Sequence, residues 1–284
     1  MLVALDQEAA HSIFHVPDNG GAWSAPMLDY LGQLGSRRKT VFLAFPPKAA
    51  GTFLRHAIIE ATGGELVRVV HAQGGRDAQP YYPTLLAYFL GGICSGPLTA
   101  HVHMQALPAN VKLLEAFGIR PVIMIRNIPD MLASYWDMLD REIGARDNGL
   151  NCAIPARWQE MLPHEKGDFL VDMMGPWYAS YYATWLSYAK GREDVLTLRY
   201  EDLLDNPAAS LNAILCHSGF EHSGPLCELV VNDLWEDRYT LRFNQGVTGR
   251  GKDYFTAHQQ ERLQRMLHLY GIAAEERAGL IDAR

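Results

Sequence analysis

Five short β-rich, largely apolar runs, at 40–45, 66–70, 98–102, 121–125 and 195–200, alternate with segments of helical period. The runs are continuous rather than polar-apolar alternating, so each predicts a strand covered on both faces, hence a mainly parallel sheet. Between them, apolar positions at three- and four-residue spacing predict helices over 53–62, 109–117, 129–142, 176–190, 207–217 and 256–270. Asn206 before Pro207 marks one helix start and Gly219 a stop. The pattern as a whole predicts a three-layer α/β/α fold with a central sheet of about five strands, organised as one domain over 1–284. Residues 1–38 form an N-terminal extension, and 141–175, polar and broken by Pro and Gly, reads as a substrate-side loop or lid.

Sheets of this kind bind ligands beyond the carboxyl ends of their strands. The loop 46–52, His101, Arg126 and Tyr200 all fall there. The loop, Pro46-Pro47-Lys48-Ala49-Ala50-Gly51-Thr52 ahead of Phe53, follows a strand and opens a helix. The first N–H groups of a helix have no intrahelical partner and carry the positive end of its dipole, so such a turn is an anion site, and Lys48 adds a full charge. It is not a Walker loop, because Lys48 precedes Gly51 and Thr52 instead of following the second glycine. After the fourth strand, Arg126 and Ser134 lie eight residues apart and face the same crevice, where a guanidinium and a hydroxyl can share one phosphate.

Bulk properties narrow the partners. A net charge of −7 gives no general reason to bind nucleic acid, so any polyanion site is local. The four cysteines, Cys94, Cys152, Cys216 and Cys227, form no C-x-x-C pair, which argues against a zinc ribbon or a disulfide scaffold and for a reducing compartment. Residues 1–8 lack a basic start, and no apolar run reaches the ~20 residues of a membrane helix, so the expectation is a soluble, cytoplasmic protein.

Taken together, these segments resemble the motifs of sulfotransferases that use 3′-phosphoadenosine 5′-phosphosulfate (PAPS). The family's PKSGTT-like loop is matched at Pro47, Lys48, Gly51 and Thr52, with one extra small residue. Its R-N-P-x-D-x-x-x-S motif is matched at Arg126, Asn127, Asp130 and Ser134, with the proline displaced to Pro129. Trp177-Tyr178, Trp185 and Tyr200-Glu201-Asp202 with Pro207 are similar to its W-Y…W…Y-E-D…P stretch, and 246–256 looks like its RKGxxGDWKxxFT segment. The resemblance implies a P-loop-NTPase-like sulfotransferase fold, PAPS as donor with PAP as product, no metal, and a small-molecule hydroxyl acceptor. It also implies that Lys48 and the loop amides suit the leaving phosphate at the 5′ end of the donor, that Arg126 and Ser134 bind the donor as well, and that Tyr200 contacts the adenine.

The chain departs from that pattern at the far end of the donor. Asn244-Gln245 stands where the family has Arg-Lys, so Arg242 or Arg250 is expected to replace the missing arginine, beside Gly246. Phe53 stands at a Thr-Trp pair and is expected to pack on the base. Leu98 to Pro108 is similar to the family's L-K-T-H-L-P segment with His101 at the catalytic histidine, which makes it the base for the acceptor hydroxyl. His103 is its rival on the same face; Glu60 and His71 are weaker candidates, and no third ligand completes a His-His metal site. Trp136, Trp158, Trp177, Tyr178, Tyr181 and Tyr182 read either as an aromatic acceptor pocket or as core. Residues 252–261 match the family's short dimer motif with Ala257 in place of valine, implying a homodimer, or else begin a surface helix capped by Thr256. Two alternatives stay open: a non-Walker small-molecule kinase, and a non-catalytic nucleotide-binding module.

Overall fold

Val41, Phe42 and Leu43 are fully buried although successive side chains of a strand point to opposite faces. The same is true of Leu98–His101, so the middle of the sheet is covered on both sides, as the unbroken apolar runs require. The structure, a computed structural model, describes residues 23–71, 78–91, 94–142, 154–221, 224–236 and 247–281. Its strands are β1 (Thr40–Leu43), β2 (Glu65–Val67), β3 (Leu98–His101), β4 (Pro121–Ile125) and β5 (Leu196–Arg199). All pair in parallel, in the order β2-β3-β1-β4-β5.

That order fixes where the site must lie. The chain leaves β1 toward the β2 side of the sheet and leaves β4 toward β5. The crevice between β1 and β4 is therefore the switch point of the sheet, with the β3 end alongside.

The described helices are α1 (Ala25–Ser36), α2 (Gly51–Thr62), α3 (Tyr82–Leu90), α4 (Pro108–Ala116), α5 (Ile128–Glu142), α6 (Pro163–Ala189), α7 (Tyr200–Asp205), α8 (Pro207–His217), α9 (Gly224–Glu236), α10 (Gly251–Tyr254), α11 (Ala257–Leu269) and α12 (Ala274–Ile281). Helix α2 packs with α8 and α9, while α1 packs with α3 and α4. Helix α6 packs on α5 and α11. No helix among the described residues is long and apolar enough to cross a membrane.

Two stretches differ from the sequence expectation. Residues 25–36 of the extension form α1, capped by Ser24, whose Met27, Leu31 and Leu34 are buried one turn apart. Each such side chain contributes roughly 1.5–3 kcal/mol of burial. Among the described residues of the expected lid, a 3₁₀ turn at Trp158–Glu160 precedes α6, which begins at Pro163 and runs on through Pro176 instead of starting there. Proline lacks the N–H that would bind the carbonyl of Asp172, and Asp172 is exposed, so water can satisfy that carbonyl.

Candidate active site

Lys48 and Ala50 both have left-handed backbones, at φ 64° and φ 60°, the two non-glycine residues of positive φ among those described. Each such conformation costs on the order of 1–3 kcal/mol, so the surroundings must impose it. They do so through the loop's carbonyls. Tyr181 donates its hydroxyl to the Ala44 carbonyl at 2.6 Å, Tyr178 donates to Pro47 at 3.0 Å, and Arg126 donates from Nη1 to Lys48. The loop delivers the chain to Gly51, where α2 opens with no side-chain cap. The first-turn N–H groups of Gly51 and Thr52 therefore face the loop with the positive end of the dipole. Ala49 is buried, while Lys48, Ala50 and Thr52 retain exposure.

His101 ends β3 in register with Leu43 and is buried. Its ring meets Phe45 edge-on at 6.2 Å between centroids and His103 at 5.2 Å. On its third side lies Gly51: a Cβ built there would stand 2.3 Å from both Cε1 and Nε2. The absence of a side chain at 51 thus lets the imidazole rest directly on the start of α2. The proposed base and the anion loop share one contact.

Arg126 follows β4 and is buried. Tyr182 donates its hydroxyl to the Arg126 carbonyl at 3.0 Å and accepts the Arg126 N–H at 2.9 Å, taking both backbone groups at the strand end. The guanidinium lies 3.7 Å from the centroid of the Tyr200 ring, and its Nε is buried with no hydrogen-bond partner among the described residues. Tyr200 is therefore placed as the shelf under Arg126. Burial pushes its hydroxyl above the ordinary value, although the Arg126 charge opposes the shift. Ser134 is buried on α5, two turns in. Asn127 caps that helix by accepting the Asp130 N–H at 3.0 Å.

Asp130 does something the motif alone does not reveal. Its carboxylate, almost wholly buried, accepts N–H bonds from Gly249 and Gly251, each at 2.8 Å. A Cβ on Gly251 would stand 2.2 Å from Cβ of Pro129, so only glycine allows the segment to seat there. Arg250, between those glycines, points elsewhere: it donates to Asp137 at 2.7 Å and to the Tyr254 hydroxyl at 2.9 Å. In this structure its charge is matched by Asp137. Arg242 and Gly246, like Asn244 and Gln245, lie outside the described residues.

The aromatic residues divide differently from the pocket expectation. Trp158, Tyr178, Tyr181 and Tyr182 are essentially fully buried and Trp136 nearly so. Only Trp177 keeps substantial exposure, stacked on Tyr181 at 5.5 Å. They are core, and the tyrosines' hydroxyls are turned to backbone carbonyls. Phe53 is likewise fully buried, edge-on to Trp235 at 5.6 Å, where it packs α2 against α9. Glu60 and His71 are exposed. Thr256 caps α11 through a reciprocal box with Gln259, which is the surface-helix reading of 252–261. Among the described residues no group of three or more His, Cys, Asp or Glu side chains gathers as a metal site.

Comparison with known families finds the sulfotransferase domain over residues 95–275, a stretch that holds His101, Arg126, Ser134 and Tyr200. The search of curated protein sequences returned no match. Among solved structures, mouse sulfotransferase SULT7A1 complexed with PAP is similar at 16% identity and a TM-score of 0.59, covering 92% of this chain and 95% of that one. Retinol dehydratase in complex with retinol and PAP is similar at 13% identity and a TM-score of 0.44, over 87% and 86% of the two chains.

Proposed function

The chain belongs to the sulfotransferase family, and from that premise we propose that it moves a sulfuryl group from PAPS to a hydroxyl of a small-molecule acceptor, with His101 as base. The observation that carries this reading is the contact of His101 with Gly51, which sets a proton acceptor on the helix start that would hold the group being transferred. The residues present fit such a donor. The loop offers Lys48, Ala49, Ala50, Gly51 and Thr52 to one phosphate. Ser134 and Arg126, with its buried, unbonded Nε, suit the second.

When bound, PAPS supplies an activated sulfuryl group on a phosphate leaving group. Lys48 and the amides of Gly51 and Thr52 oppose the negative charge that gathers on that phosphate as the S–O bond breaks. His101 accepts the acceptor's proton at Nε2, the ring edge at Gly51, as the new bond forms. Phe45 and Gly51 hold the ring, so little of its orientation is left to be fixed during reaction. Tyr200 keeps the Arg126 guanidinium flat and in place.

Two finer points complete the reading. The widely spaced cysteines fit a cytoplasmic setting, and Cys94, Cys216 and Cys227 carry free thiols. Lys252, Thr256 and Glu261 remain exposed, leaving the 252–261 segment open to pair with a second copy; light scattering across a concentration series decides between monomer and dimer.

The activity test measures donor-dependent sulfation on a panel of alcohols and phenols with wild-type, Lys48→Ala and His101→Ala proteins. Both variants should lose at least about a hundredfold in turnover. Undiminished sulfation in both would sink the proposal. Tight binding of PAP with no turnover on any hydroxyl would mark a nucleotide-binding module instead.

A further inference from the structure

Tyr178, Tyr181, Tyr182 and Trp185 sit at spacings of three, four and seven along α6, so they share one face of the helix. Each donates a hydrogen bond to a backbone carbonyl just beyond a strand. Tyr181 reaches Ala44 and Tyr178 reaches Pro47 after β1, Tyr182 reaches Arg126 after β4, and Trp185 reaches Met104 after β3 at 2.8 Å. One helix face thus sets the position of all three strand ends that carry the site.

The bond from Tyr178 has a particular effect. It holds the carbonyl of the Pro47–Lys48 peptide, which immediately precedes the left-handed Lys48. Arg126 holds the carbonyl of the next peptide. No peptide bond among the described residues is cis, and in a trans peptide the N–H points opposite to the C=O. Tying back two successive carbonyls therefore turns the amides of Lys48 and Ala49 the other way, the arrangement that forms an anion-binding nest.

We infer that Tyr178 is a positioning residue for the donor: its hydroxyl holds the phosphate loop in its strained, amide-outward form, and so raises affinity for the 5′ phosphate. The step from loop to nucleotide rests on the function proposed above; the step from Tyr178 to loop does not.

The experiment compares wild type with Tyr178→Phe, which keeps the ring and removes only the hydroxyl. Tyr188, on the same helix as Tyr178, serves as control, since Tyr188→Phe loses only an exposed bond to Glu115 of α4. In ligand-free protein, amide exchange over 48–52 should quicken about fivefold in Tyr178→Phe and stay unchanged in Tyr188→Phe. Unchanged loop exchange in Tyr178→Phe overturns the inference whatever the protein binds.

Calorimetric titration supplies the second arm. Tyr178→Phe should bind PAP about tenfold more weakly at unchanged stoichiometry. It should bind adenosine 3′-monophosphate, which lacks the 5′ phosphate, as well as wild type does. A fall in stoichiometry with unaltered Kd would show that the hydroxyl serves folding alone, and would overturn the positioning role. Wild-type protein that binds no PAP would overturn the proposed donor, while loop exchange still decides the part played by Tyr178.

Discussion

The imidazole of His101 rests on Gly51 so closely that a Cβ at 51 would come within 2.3 Å of Cε1 and Nε2. The strand that carries the histidine and the helix that opens the anion loop are thereby locked in one relative position. Gly51→Ala should drive the ring off the helix start. Because the methyl collides with a side chain, the protein should fold, with turnover lowered on the order of a hundredfold. Steady-state kinetics alongside a melting curve check this, and wild-type turnover in the alanine protein would show that the ring's seat is immaterial.

Arg126 joins the Lys48 carbonyl to the Tyr200 ring, and its buried Nε has no hydrogen-bond partner among the described residues. Arg126→Lys keeps the charge and loses the planar fork. PAP should bind about ten- to a hundredfold more weakly, the loss expected when charge-assisted bonds go. Titration measures it, and an unaltered Kd would mean that charge alone suffices there.

Asp130 is the acceptor that seats the Gly249–Gly251 segment. Asp130→Ala leaves two N–H groups unpaired and should destabilise the protein by about 3 kcal/mol. At this chain length that lowers Tm by roughly 6–12 °C. Limited proteolysis should also find new cleavage within 247–255, and a variant as resistant as wild type would contradict the role.

His217, in the last turn of α8, has its pKa lowered from 6.5, first by burial and then by the charge of Arg120, with Asp194 opposing. A histidine whose folded pKa lies below its unfolded one favours the native state when neutral. Its contribution is complete above about 6.5 and is lost as pH falls from there through the lower folded value. Urea denaturation at pH 8 and pH 5.5 should show less loss of stability for His217→Gln than for wild type. Equal losses would rule the residue out as a source of acid sensitivity.

What sequence makes legible here depends on the range of the interaction. His101, Arg126 and Tyr200 each lie at or next to the end of an apolar run, so a local pattern locates them at strand ends and the parallel sheet brings them together. The roles of Tyr178 and Tyr181 depend on acceptors 131 and 137 residues away, and nothing near them distinguishes a carbonyl-holding tyrosine from a pocket tyrosine. Asp130 is visible as a motif letter, but its glycine partners are 119 and 121 residues further on. The pairing of Arg250 is hidden for the same reason: its partner Asp137 is 113 residues away, a turn of α5 beyond the motif residues. Pro176 misleads locally, since a proline in a helical pattern usually opens a helix and here lies inside one.

The seat of Gly249 and Gly251 on Asp130 also bears on how the protein is made. A chain emerging from the ribosome presents the loop, the three strand ends and α6 well before residue 249 appears. Until then Asp130 has neither glycine amide to meet its charge, and the start of α5, which leads to Ser134, lacks its outer support. The start of α5 should therefore gain its full support only once residues 249–251 have been made.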